Sequence, residues 1–171
     1  MEPPPDSPGV NVDCMLLIQL TRRADGSGVL RCVRRDGSAT WQKQGRHAAF
    51  FALHDLTHLA VESTLGFRRG LFGLIAEGWD IEDTTGKGAR GPLPDEAMEV
   101  EHLVGNFDME RGSGTLMTAE EFNEWGRMRS DGRSWREMTG EEILRVRARR
   151  GELFARWGDT AAGETLQLQF G

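Results

Sequence analysis

Residues 47–65, HAAFFALHDLTHLAVESTL, decide how this chain folds. At about 100° per residue, Ala52, Leu53, Leu56, Leu59 and Ala60 share one side of a helix, and Gly66 stands where a left-handed residue ends one. The other side carries a polar stripe. With His54 at the origin, His58 falls at about 40°, Glu62 at about 80° and Asp55 at about 100°; His47 would join near about 20° if the helix reached back that far. Phe50, Phe51, Val61 and Leu65 surround the stripe. The segment is therefore apolar nearly all round, the pattern of a helix enclosed by other elements rather than lying on a surface. Buried ionisable groups need partners, or they cost several kcal/mol and neutralise. A metal ion, a hydrogen-bond network and a solvent-filled cleft are three ways to satisfy this stripe.

Upstream of the helix the periodicity is that of strands. Residues 12–22, VDCMLLIQLTR, put Leu16, Ile18 and Leu20 on one face. A turn cluster at 24–28 leads into an alternating run in which Val29, Arg31 and Val33 oppose Leu30, Cys32 and Arg34. Asp36-Gly37 is a hairpin signal, and residues 38–43 form a third strand, so the chain opens as an antiparallel meander. Downstream, residues 71–77 read as a short apolar helix and 79–94 as a polar, glycine-rich loop. Residues 95–108 return to helical spacing through Ala97, Val100, Leu103, Val104 and Phe107. Thr118-x-x-Glu121 and Thr139-x-x-Glu142 are capping boxes that open helices over 119–129 and 140–157. Residues 165–170, TLQLQF, alternate strictly and predict a last strand. Strands, then helices, then one strand predict an α+β fold: an antiparallel sheet with helices on one face and the final strand returning to the opening meander.

Residues 1–10, with four prolines, read as a disordered lead-in, and 11–171 as a single domain of ordinary size. No apolar run approaches the roughly 18 residues of a membrane helix, and the acidic, proline-rich start lacks the layout of a secretory signal, which predicts a soluble cytoplasmic protein without membrane contact. Cys14 and Cys32 have neither disulfide-framework nor CxxC spacing and read as buried thiols. The net charge of −6 argues against a protein that is basic overall. Acids dominate from Glu77 to Glu124, whereas Arg145, Arg147, Arg149, Arg150 and Arg156 load the last helix. Glu141 before Arg145 and Glu152 before Arg156 suit a solvated, self-paired face; contact with nucleic-acid phosphates through that helix is the lesser reading. The loop Thr84–Gly88 resembles a phosphate loop only superficially, because Ile81 and Gly88 stand where glycine and a hydroxyl residue are needed.

The chemistry concentrates in the stripe. Histidines at i and i+4 lie one turn apart and can bind one ion. His54-Asp55-Leu56-Thr57-His58 resembles the H-E-x-x-H motif of zinc metallopeptidases, with Asp replacing Glu. The resemblance implies His54 and His58 as zinc ligands and Asp55 as general base in a metal-dependent hydrolase. Asp is one methylene shorter than Glu and reaches roughly 1.5 Å less far. Glu62 lies roughly 12 Å along the helix from His54, so it suits a supporting role better than the same ion; Glu77, Asp80, Glu99 and His102 are the other candidates for a third ligand. The wider string 54–78, HDLTHLAVESTLGFRRGLFGLIAEG, resembles the pattern H-D-x-x-H-x-x-V-E-x-x-L-G of a group of uncharacterised bacterial proteins, which implies a shared fold and no reaction. The alternative to a metal site is a non-enzymatic binding or regulatory module, in which Glu62 accepts from His58 and Asp55 binds the N-terminal hairpin.

Overall fold

The computed structural model describes residues 15–131 and 133–171. The lead-in 1–10, Cys14 and the start of the first predicted strand lie outside the described residues. Strands β1 (Leu16–Arg22), β2 (Gly28–Arg34) and β3 (Ala39–Gln44) form the meander. Helices α1 (Ala48–Leu65), α2 (Leu71–Glu77), α3 (Asp95–Ser113), α4 (Ala119–Arg129) and α5 (Gly140–Gly158) follow, and strand β4 (Thr165–Phe170) closes the order. The sheet runs β3-β2-β1-β4 and is antiparallel throughout, with β1 set against Arg34 and Phe170 at Leu16 and against Leu30 and Leu166 at Leu20. The architecture is the predicted α+β arrangement, with the last strand beside the first.

Period-two alternation sends Leu16, Ile18, Leu20, Leu30 and Cys32 inward, with Leu166, Leu168 and Phe170 beside them. Helix α1 packs over this face and touches β2, α2, α3 and α5. Every residue from Asp55 to Glu62 is buried, as a helix apolar on nearly all sides requires. Gly66 ends α1 at φ 73°, a left-handed geometry, and its amide bonds the Glu62 carbonyl. Both capping boxes form. Burial of Cys32 pushes its thiol up to about 12, which leaves it protonated and inert.

Two features differ from the sequence reading. Helix α3 runs past residue 108 to Ser113. Its extra turn is held by buried Glu110, which pairs with Arg147 and accepts from the Met117 amide, contacts that apolar spacing cannot reveal. The arginines of α5 form a self-paired solvated face only in part, through exposed Arg145 and the Arg149–Glu152 pair. Arg147 and Arg150 turn inward, Arg150 donating to the Phe107 carbonyl at 2.8 Å. Glu152 pairs with Arg149 rather than Arg156, whose guanidinium donates to the Gln167 carbonyl. Among the described residues no helix is long and apolar enough to cross a membrane.

Candidate metal centre

The polar stripe of α1 faces a matching stripe on α3. His54, His58 and Glu101 each offer one ligand atom, all within 4.8 Å of one another. His58 Nε2 lies 3.2 Å from Glu101 Oε1. Ligands bonded to one zinc ion at about 2.1 Å stand roughly 3.4 Å apart in a tetrahedron. The His58–Glu101 edge is close to that length, and the His54 ligand atom lies within 4.8 Å of both. The two imidazoles stand edge to face, with centroids 4.8 Å apart.

Each imidazole has a second carboxylate on its far side. His54 Nδ1 is 2.6 Å from Asp108 Oδ2, which fixes Nδ1 as the donor and leaves Nε2 as the ligand atom. Arg111 Nη2 in turn reaches Asp108 Oδ1 at 3.4 Å, and Phe50 stacks on the His54 ring. His58 Nδ1 lies 3.4 Å from Glu62 Oε1, near enough for charge attraction but not aligned as a hydrogen bond. Ligand histidines in metal proteins characteristically give their other ring nitrogen to a carboxylate, as His54 gives Nδ1 to Asp108.

Glu62 is completely buried, and its carboxylate also accepts from the amides of Phe72 (3.1 Å) and Gly73 (3.2 Å) in the first turn of α2. This explains the glycines of the string that follows. A Cβ at Gly70 would sit 2.4 Å from the Glu62 carboxyl carbon, and one at Gly73 would sit 1.9 Å from the Arg68 carbonyl oxygen. The G-L-F-G spacing thus lets α2 approach the carboxylate that steadies His58.

The electrostatics follow from burial and charge. Burial alone would depress His58, but Glu101 and Glu62 outweigh it and raise it to about 10. Burial opposes ionisation of Glu101 too, yet His58 holds its carboxyl below the usual value. Asp55 is raised to about 6, chiefly by burial, with the histidines and Gln44 pulling the other way. Gln44, at the end of β3, donates to Asp55 Oδ2 at 2.6 Å, the anchorage to the meander that the sequence suggested. Four carboxylates, Asp55, Glu62, Glu101 and Asp108, surround two imidazoles. That arrangement attracts a cation.

Of the residues singled out in the sequence, the fold brings His54, His58 and Asp55 together, with Glu62 behind His58. Glu77 pairs with Arg69 and Asp80 with Arg34, both away from the triad. Glu99 is half-buried on α3 and raised by that burial, but it does not join the cluster. His102 borders the same cavity outside the triad, its Nδ1 3.2 Å from the Ser134 carbonyl. The third member, Glu101, and the supporting Asp108 were not anticipated. They lie two turns apart on α3, but Glu99 and Glu101 flank its apolar face on either side, so spacing alone does not pick out Glu101.

No family model, curated protein or solved structure matches this chain. The triad opens on a cavity of about 510 Å³, which Asp55 and His102 also line.

Proposed function

We propose that this protein binds a divalent metal ion, zinc, through His54, His58 and Glu101, and that it is a metal-dependent hydrolase. The observation that carries the metal reading is that each imidazole has an outer carboxylate beside it while a third, Glu101, lies within 4.8 Å of a ligand nitrogen on both. Two histidines and one carboxylate, with an open side, are a zinc donor set that leaves room for water or substrate. Bound zinc supplies Lewis acidity and lowers the pKa of water. Asp55 supports the hydrolytic part of the reading. It follows His54 directly, lines the cavity and has a carboxyl raised to about 6, which suits a group that exchanges a proton near neutrality.

A second reading has its own observation: without metal, His58 is an imidazolium held between Glu62 and Glu101, a buried ion-pair network that needs no ion. Metal titration separates the two. Purified protein stripped with chelator and titrated with zinc should take up one equivalent, and His54→Ala, His58→Ala and Glu101→Gln should each abolish that uptake. Native protein that neither retains zinc nor gains thermal stability from it would leave only the network.

A further inference from the structure

We infer that the ligand of this centre is an uncharged small molecule with an apolar body, whose polar head meets the metal. The inference rests on the metal reading above and draws on different residues. Beyond the triad, Leu30, Phe51, Leu71, Ile81, Leu93 and Met98 make the apolar part of the cavity wall, with Gln42, Asp55 and His102 as its polar members. The hydroxyls of Thr84 and Thr85, also on the wall, donate to the carbonyls of Ile81 (2.6 Å) and Glu82 (2.8 Å). Their protons are thus engaged with backbone rather than offered to a guest. Among the described residues no lysine or arginine lines the cavity. Arg34, farther along strand β2 from Leu30, is committed to the carbonyls of Ile75 and Trp79 and to Asp80. A guest that carries a carboxylate or phosphate on its body would therefore find no lysine or arginine there to pair with. It would also meet the carboxylates of Asp55 and Glu101 on entering. A cavity of about 510 Å³ is large enough for a small molecule of drug-like size or less.

The test uses the full chain loaded with zinc, or with cobalt(II) as a spectroscopic substitute, and hydroxamate probes. Acetohydroxamate, butanohydroxamate and hexanohydroxamate share one metal-binding head and differ only in apolar length. Affinity should rise about fourfold per methylene, the gain expected when each enters an apolar wall. A hexanohydroxamate bearing a terminal carboxylate should bind at least about tenfold more weakly than its uncharged parent. Thr84→Arg, which puts a cation on the wall and leaves the triad intact, should reverse that preference while zinc uptake stays unchanged. Zinc bound with equal affinity for all chain lengths, or with the carboxylate probe favoured, overturns this inference and spares the metal reading. Failure to take up zinc overturns both.

Discussion

Replacing Glu62 by Gln isolates the buried carboxylate that joins α1 to α2. The wild-type group offers acceptor oxygens to the Phe72 and Gly73 amides and faces His58 Nδ1 at 3.4 Å. Glutamine keeps the volume but has one acceptor oxygen and one NH2. If the oxygen serves the amides, the NH2 meets a second donor at His58; if it is flipped, the two amides meet a donor. Either way buried donors lack an acceptor in a site where Glu62 is 0% exposed. Hydrogen bonds to a charged group are worth about 1.5–3 kcal/mol each, and breaking a buried ion pair costs about 3–5 kcal/mol. We expect a loss of about 3 kcal/mol in the metal-free protein, which for a domain of this size lowers Tm by about 6–12 °C. Urea denaturation in the presence of chelator, with the slope unchanged, reads this directly. A loss under about 1 kcal/mol, with native circular dichroism, would refute the claim that this carboxylate holds the first turn of α2 and the His58 ring.

Three further outcomes follow from the same geometry. Asp108→Asn should weaken zinc binding by about 10–100-fold with little change in fold, because His54 loses the partner that fixes its tautomer; competition against a chromophoric chelator measures it. Gly73→Ala should destabilise by more than about 2 kcal/mol, since its Cβ would meet the Arg68 carbonyl oxygen at 1.9 Å, and thermal melting should show the loss while a surface control, Gly151→Ala, does not lower Tm. The His58 pair, with a folded value of about 10 against 6.5, stabilises metal-free protein fully below about pH 6.5 and is lost as pH rises through 10. Zinc must displace that proton, so its affinity should rise with pH across the same window, up to about tenfold per unit, with proton release detectable by calorimetry in buffers of different ionisation enthalpy.

Much of this fold was written in local patterns. TLQLQF alternates without exception, so β4 and its inward face could be read directly, and the two Thr-x-x-Glu boxes fixed the starts of α4 and α5. Enclosure of α1 followed from its all-round apolarity. The site was legible only on the helix that carries the paired histidines. Glu101 and Asp108 sit on another helix, and which face of α3 meets α1 is decided by packing between elements distant in sequence. No spacing rule within α3 separates Glu101 from Glu99, its neighbour two positions away. The inward turn of Arg147 was hidden for a similar reason: its partner Glu110 lies on α3, in a turn that apolar periodicity does not register.

The placement of β4 has a consequence for how the molecule is made. Residues at the two ends of the described chain pair side by side, Leu16 with Phe170 and Leu20 with Leu166, so β1 lacks one flank until every helix has been synthesised. Contacts so remote along the chain make closure slow, because a long segment must be gathered before they form. A newborn chain therefore holds its histidine helix over a half-finished floor, and the last strand acts as the latch that ends the search.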